Sequence, residues 1–400
     1  MFGSTCCLRL DLSLVGFLLP CSSRQLFKMP VFLAHRECKP VIEKITLTRV
    51  PTGLKERLVD GENVLVAEGY LFEFERRGYL KAGAFVPEVV IKHPDMVRSL
   101  HEEFVHAGSD VVLAFTYYGH REKLRLLGQE NLLEPLNVGA LRIARDVARR
   151  TGTLMAGNIC NTTMYRRDDI VAVEKTEAMF KEQIEWAVQE EADFIVAETF
   201  SELGEAMVAL DAIRKYGNGL PAVVTLAPQV TDQTYDGVPI GEACRQLEEA
   251  GADVVGLNCH RGPKTIMPLM KDVRRACKGP IACLPVPYRT TTECPTMQAL
   301  KDPDTGRRAF PIDLPAHLCS RSQVWEFARA CRDLGVQYAG LCCGNCSHLM
   351  RVLAEGYGRC PPACKYSPDM SQHYVFGSDP SFSKYYQEGL MHTVSHDNKD

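Results

Sequence analysis

Short continuous apolar runs recur along the chain, each after a helical segment that stops at a small residue or glycine. The passages "HAGSDVVLAF", "EEADFIVAE", "EAGADVVGLN" and "DLGVQYAGLC" show this pattern. Continuous apolar runs of about four to six residues, in contrast to alternating ones, are typical of strands buried on both faces. With weaker examples included, the pattern predicts eight strands, at residues 63–67, 111–115, 153–157, 194–197, 222–226, 253–257, 280–284 and 337–341.

The segments between these runs have helical periodicity, as in "HPDMVRSLHEEFVHAG" and "VGALRIARDVARRTG". Eight strands that alternate with helices are typical of a (β/α)8 barrel. The alternative is an open, doubly wound sheet, but no G-x-G-x-x-G turn follows the first predicted strand. We therefore predict an α/β fold with a single-domain (β/α)8 barrel of the TIM type over residues 51–362, and we expect the long connection 285–320 to contact substrate.

The two ends of the chain lack this alternation of predicted strands and helices. We predict that residues 1–50 form a leader or a poorly ordered extension, and that residues 363–400 form an irregular tail. The apolar stretch at residues 12–19 is too short to span a bilayer. It loosely imitates a signal peptide, but Asp11 directly precedes it and offsets Arg9.

Composition and charge narrow the range of functions. The chain has 400 residues, of which 46% are hydrophobic, and a net charge of -4 with both signs interspersed. Such a surface predicts no nucleic-acid partner and no membrane partner. The seventeen cysteines are odd in number and lack the regular spacing of a secreted disulfide scaffold, so we predict a cytoplasmic protein with free thiols or a metal site.

Three cysteines are predicted to meet at one face of the barrel. Cys259 follows the sixth strand in "GLNCH", and Cys342 and Cys343 follow the eighth in "GLCCGN". Active sites of such barrels lie at the carboxyl ends of the strands. Three thiolates around zinc leave one tetrahedral position open, and a substrate thiol bound there becomes a nucleophilic thiolate at neutral pH. An alternative reads Cys343 and Cys346 as a C-x-x-C redox pair or as half of a closed four-cysteine site.

Other residues at the same face suggest a cationic substrate. Glu198 ends a strand that is otherwise apolar, and a carboxylate there could receive an ammonium group. Tyr117, Tyr118 and Phe85 could offer aromatic faces to a quaternary ammonium or sulfonium ion.

From about residue 53 to 363 the chain resembles the homocysteine S-methyltransferase family, and most closely its betaine-using branch. The segments that carry the resemblance are "ERRGYLKAG", "HPDMVRSLHEEFVHAGSDVV", "FTYYG", "IVAETF", "GVPIGEAC", "GLNCH" and "GLCCG". The resemblance implies a zinc enzyme that moves a methyl group from a cationic donor, betaine or S-methylmethionine, to homocysteine and so forms methionine. One zinc ion per chain would leave its fourth position to the homocysteine sulfur.

The resemblance also assigns roles to individual residues. The implied metal ligands are Cys259, Cys342 and Cys343; the homocysteine-binding residues are Glu198, Glu68 and Gly69; the methyl-donor pocket is Phe85, Tyr117 and Tyr118; and Thr116 and Asn258 support these groups.

The chain departs from the family pattern at several of these positions. Where the family has Asp-Gly-Gly after the first strand, this chain has Ala67, Glu68 and Gly69, and Phe85 and Thr199 replace aromatic residues of the betaine-using branch. A member that binds zinc and thiols without catalysis, as a sensor or assembly partner, is therefore the alternative function. Assembly into a homo-oligomer is left open.

Overall fold

The computed structural model describes residues 53–373 and, beyond them, residues 377, 379, 381, 384, 388 and 389. The predicted leader, residues 1–50, and most of the predicted tail, residues 363–400, lie outside the described residues. The described residues up to Pro368 form one compact unit. Those from Asp369 onward belong to a second unit, in which a 3-10 helix spans Met370–Gln372.

Eight parallel strands close into a barrel in chain order, so the predicted (β/α)8 fold is confirmed and the open-sheet alternative is wrong. Nearly every strand residue is buried, as the continuous apolar runs predicted. The strands are β1 (Val64–Ala67), β2 (Val111–Leu113), β3 (Leu154–Cys160), β4 (Phe194–Phe200), β5 (Ala222–Leu226), β6 (Val254–Asn258), β7 (Ile281–Leu284) and β8 (Val336–Leu341).

Three strands end two or three residues away from their predicted ends, whereas the other strand boundaries lie within one residue of their predictions. β3 and β4 continue three residues further because Asn158 and Glu198 interrupt the apolar runs but hydrogen-bond each other inside the barrel, so the pairing of the two strands continues. β2 ends two residues early because the chain turns there, with the Thr116 N–H donating to the Ala114 carbonyl at 2.8 Å.

Helices surround the barrel and link its strands. They are α1 (Leu54–Val59), α2 (Tyr70–Arg76), α3 (Val89–Lys92), α4 (Pro94–Ala107), α5 (Arg121–Leu126), α6 (Leu133–Thr151), α7 (Ile170–Gln189), α8 (Leu203–Tyr216), α9 (Ile240–Glu249), α10 (Pro263–Ala276), α11 (Arg321–Leu334) and α12 (Ser347–Gly356). Short 3-10 helices span Glu130–Leu132, Met297–Ala299, Leu314–His317 and Pro362–Tyr366. In the described part of the chain, no helix is both long and apolar enough to cross a membrane.

Local chemistry sets the helix ends. The Asp169 carboxylate accepts hydrogen bonds from the first free N–H groups of α7, at Val171 and Ala172. Gly108, Gly152 and Gly335 adopt the left-handed conformation directly after α4, α6 and α11, which ends each helix and returns the chain to the next strand.

The connection between β7 and α11 lies against the carboxyl ends of the strands. The Met297 N–H donates to the His260 carbonyl at 2.7 Å, next to one of the predicted metal ligands. The Phe310 ring lies 6.4 Å from the Phe72 ring. This connection therefore packs beside the candidate site, and its predicted substrate contacts stay a prediction.

Candidate metal and substrate site

The three predicted cysteines meet directly above the barrel. The sulfur of Cys343 lies 3.8 Å from that of Cys259 and 3.9 Å from that of Cys342. All three sulfurs lie within 4.8 Å of one another, although 84 residues separate Cys259 from Cys343. Barrel closure brings them together.

A turn aims the adjacent cysteines at the same point. β8 ends at Leu341, after which the Cys342 N–H donates to the Pro285 carbonyl and the Asn345 N–H donates back to the Cys342 carbonyl, both at 2.9 Å. Gly344 has a φ of +96°, and a Cβ there would lie 2.3 Å from the Tyr288 hydroxyl oxygen. Glycine is therefore required at this position.

Three residues near the cysteines have a left-handed backbone conformation. Cys259 has a φ of +59°, His260 of +51° and Thr199 of +66°, although none of them is glycine. Such conformations are uncommon for residues with a Cβ and are typical of functional sites. Here they redirect side chains at the ends of β6 and β4 toward the cavity.

The sulfur spacing fits a tetrahedral metal ion. A Zn–S bond of about 2.3 Å and the tetrahedral angle place two sulfurs about 3.8 Å apart. The distances of 3.8 and 3.9 Å in this chain match that value, and the third pair of sulfurs, Cys259 and Cys342, lies within 4.8 Å. Side-chain hydrogen bonds with Cys342 and Cys343 hold the pKa of the Cys259 thiol well below its usual range. The cluster can therefore hold a metal ion.

Gly69 fixes β1 against the cysteine turn. It has a φ of +81°, and a Cβ on it would lie 2.3 Å from the carbonyl oxygen of Cys342 and 2.7 Å from the nitrogen of Cys343. The peptide between the two cysteines thus rests directly on Gly69, which also lines the cavity beside the sulfurs.

A hydrogen-bonded carboxylate lies next to the cysteines. Glu198 accepts from Asn158 at 2.6 Å, from Asn258 at 2.8 Å and from the Thr199 hydroxyl at 3.1 Å. Burial raises its pKa to about 7, against the opposing effect of these donors. Asn258 also lies 4.0 Å from the Cys342 sulfur and so connects the carboxylate to the thiols.

Glu68 adds a second carboxylate to the same place. Its side chain is only 1% exposed, and one of its oxygens lies within 4.8 Å of both Glu198 and the Cys342 sulfur. Neither of its oxygens makes a hydrogen bond of normal geometry, although the Asn258 side chain is near enough to oppose the rise in its pKa. Burial, then the nearby charge of Glu198, raises the pKa of Glu68 well above its usual value. A buried carboxylate without a donor is costly, which indicates a cationic ligand.

The cavity between these groups is small, with a volume of about 20 Å³. Its walls combine polar groups on one side with aromatic and aliphatic groups on the other. They are Gly69, Tyr70, Leu71, Leu113, Ala114, Phe115, Tyr117, Asn158, Glu198, Thr199, Cys342 and Cys343.

The predicted donor-pocket residues do not all reach this cavity. Tyr117 lines it, and the Tyr118 ring stands behind Tyr117 with the ring centroids 4.5 Å apart. Phe85 instead packs on Phe72 at 5.4 Å and is absent from the cavity wall. Thr116 is buried and donates to the Asn158 carbonyl at 2.6 Å, so it supports β3 and not a cysteine.

Sequence reasoning missed Asn158, which hydrogen-bonds Glu198 across two strands. Asn158 could have been found in the sequence because it is a polar residue inside the otherwise apolar run of β3. Cys346 lies outside the sulfur group, with its sulfur 3.3 Å from His348 Nδ1, and Cys259, Cys342, Cys343 and Cys346 form no disulfide.

The sequence model of the homocysteine S-methyltransferase family matches residues 69–356 of this chain. The chain belongs to the homocysteine S-methyltransferase family. The resemblance seen in the sequence is thereby confirmed, and the cysteine cluster, Glu198 and Gly69 all lie within the matched region.

Curated members of the family are similar over most of their length. An S-methylmethionine–homocysteine S-methyltransferase from Mus musculus is 33% identical over 329 residues, which cover 79% of this chain and 85% of that protein. A betaine–homocysteine S-methyltransferase 1 from Xenopus laevis is 34% identical over 319 residues, covering 76% and 75%. Identity therefore does not separate the two donor types.

Among solved structures, the oxidized form of the homocysteine methyltransferase MmuM from Escherichia coli superposes with a TM-score of 0.58 at 16% identity. The match covers 77% of this chain and 99% of that one. At this identity the likeness supports the shared fold alone.

Proposed function

We propose that this family member is a zinc-dependent S-methyltransferase that moves a methyl group from a cationic donor to homocysteine and forms methionine. The observation that carries the proposal is the spacing of the Cys259, Cys342 and Cys343 sulfurs, which suits a tetrahedral ion with one open position. One zinc ion per chain would be held by these three residues. Bound zinc would lower the pKa of a substrate thiol so that it binds as a thiolate.

Glu198 and Glu68 would bind the ammonium group of homocysteine. Both carboxylates are buried beside Cys342, and Glu68 makes no hydrogen bond of normal geometry. An ammonium group placed between them would supply the missing hydrogen bonds and charge. Glu68 thus offers a carboxylate one position after Ala67, where the family has aspartate, and this weakens the motive for a non-catalytic role.

Methyl transfer would be a direct displacement. The thiolate sulfur forms a bond to the methyl carbon while the bond from that carbon to the donor nitrogen or sulfur breaks, and its electron pair leaves with the neutral amine or sulfide. Thiolate and cationic donor neutralise each other as the bond forms, which a water-poor cavity favours. Tyr117, at the cavity wall, is placed to offer an aromatic face to the donor cation.

Betaine and S-methylmethionine both fit this chemistry as donors. We further propose a cytoplasmic location, because the three cysteines of the site form no disulfide and a reducing environment suits an open thiolate site. Assembly into a homo-oligomer is a further proposal without a residue to support it.

The test is metal content together with methionine formation. Purified protein should contain about one zinc per chain and form methionine from homocysteine with betaine or S-methylmethionine. Cys259→Ser should lose most of the zinc and the activity, whereas Cys244→Ser, at a buried cysteine of α9, should keep both. Homocysteine binding without methionine from either donor would support the sensor alternative instead.

A further inference from the structure

The side of the cavity beside the Cys342 sulfur, where the methyl acceptor would bind, carries two carboxylates. Glu198 lines the cavity, and Glu68 has an oxygen within 4.8 Å of both Glu198 and the Cys342 sulfur. The two glutamates are 4% and 1% exposed, so water and salt screen their charges poorly. A thiol bound at the cysteine cluster therefore has a site next to it that favours a cationic group.

An anionic group on the same acceptor finds no cationic partner. Of the described residues that form the cavity wall, none is a lysine, arginine or histidine. The polar wall residues Asn158 and Thr199 already donate hydrogen bonds to Glu198. A carboxylate placed here would therefore lose its hydration without gaining an opposite charge.

The start of α2 does not make up for this lack. The first N–H groups of a helix attract negative charge. Glu68 directly precedes Gly69, the residue that caps α2, and its buried carboxylate already places a negative charge next to this helix end. The carboxylate of an amino acid would add a second negative charge there, and like charges placed side by side are costly.

The size of the cavity favours the same kind of acceptor. Its volume of about 20 Å³ is only slightly above the roughly 10–15 Å³ that one ordered water requires. The carboxylate of homocysteine forms a branch on the acceptor chain, whereas an aminothiol without a carboxylate is unbranched. The unbranched compound therefore displaces less of the cavity wall.

Charge and size together indicate an acceptor with a thiol and an ammonium group but no carboxylate. We propose that carboxylate-free aminothiols are a second class of methyl acceptor for this enzyme, used at least as well as homocysteine. The thiol proton passes to solvent on binding, and the thiolate sulfur then bonds the methyl carbon. The bond from that carbon to the donor nitrogen or sulfur breaks, and its electron pair leaves with the neutral amine or sulfide. The inference rests on the proposed function, whose acceptor site it extends.

Three thiols separate the effects of the two charges. Homocysteamine is homocysteine without the carboxylate and has the same spacing between sulfur and nitrogen, and γ-mercaptobutyrate is homocysteine without the ammonium group. With the zinc-loaded wild-type protein and a saturating donor, we expect kcat/KM for homocysteamine to be equal to that for homocysteine or up to about 10-fold higher. For γ-mercaptobutyrate we expect a value about 100-fold lower or less.

The Glu68→Gln variant keeps the size of the side chain and removes its charge. Homocysteamine and homocysteine then lose the same partner for their ammonium groups, but only homocysteine is relieved of a repulsion. The ratio of kcat/KM for homocysteamine to that for homocysteine should therefore fall about 10-fold. Glu205→Gln is the control, because Glu205 is a buried glutamate of α8 that accepts from the Thr162 hydroxyl and is absent from the cavity wall. It should keep the wild-type ratio.

A lower kcat/KM for homocysteamine than for homocysteine in the wild type, or a ratio that Glu68→Gln leaves unchanged, would overturn the inference. If the wild type methylates no thiol from any donor, the proposed function fails. The acceptor site is then tested by calorimetric titration of the purified protein with homocysteamine and with homocysteine. Equal or tighter binding of homocysteamine that Glu68→Gln weakens relative to homocysteine supports the inference, and weaker binding of homocysteamine to the wild type overturns it.

Discussion

Replacing Gly69 by alanine perturbs the cysteine cluster without touching a sulfur. The new Cβ would lie 2.3 Å from the Cys342 carbonyl oxygen, where ordinary contacts begin at 3.4 Å, so β1 and the cysteine turn must separate by about 1.1 Å. Metal-ligand distances tolerate changes of only about 0.2 Å. The left-handed φ of +81° adds about 1 kcal/mol of strain for a residue with a Cβ.

We therefore expect Gly69→Ala to lower zinc affinity by about 10- to 100-fold or more, the range seen when groups supporting a metal ligand are lost. Gly78→Ala is the matched control, because its φ is +78° and nothing lies within 4 Å of its added Cβ. Competition with a chromogenic chelator measures zinc affinity, and thermal unfolding measures the strain that both variants share. Equal zinc affinity of the two folded variants would refute the reasoning.

Three further predictions follow from single side chains. Glu198→Gln should weaken homocysteine binding by about 10-fold or more in calorimetry while zinc content stays near one per chain, since a charge partner is lost but no sulfur moves. Arg76 donates to the Gly344 carbonyl at 3.3 Å, so Arg76→Met should loosen the cysteine turn and lower zinc affinity about 10-fold in chelator competition. Burial lowers the pKa of His101 to about 3. Below about pH 6.5 the His101 side chain is therefore protonated in the unfolded chain and stays neutral in the folded chain, which favours unfolding. Stability should fall by about 2 kcal/mol between pH 7.5 and pH 5 through this residue, and urea unfolding should show a smaller fall in His101→Phe but not at exposed His106→Gln.

Strand positions were predictable because parallel strands are buried on both faces and leave unbroken apolar runs. Barrel closure then made the meeting of Cys259 with Cys342 and Cys343 predictable, since all follow strands at the same end. Glu198 was predictable for the same reason.

Side-chain directions beyond the strand ends were not predictable. Phe85 lies in a loop, and its position depends on packing against Phe72, which no local pattern encodes. The approach of Glu68 to Glu198 and Cys342 depends on where β1 stops and on the left-handed turn at Gly69.

Zinc K-edge X-ray absorption of the purified protein, with and without homocysteine, tests the central claim most directly. We predict three sulfur ligands and one oxygen or nitrogen ligand without homocysteine, and four sulfur ligands at about 2.3 Å with it. Four sulfur ligands before homocysteine is added would identify a closed structural site that includes another cysteine such as Cys346. An absorption spectrum that homocysteine leaves unchanged would contradict the open thiol-binding site.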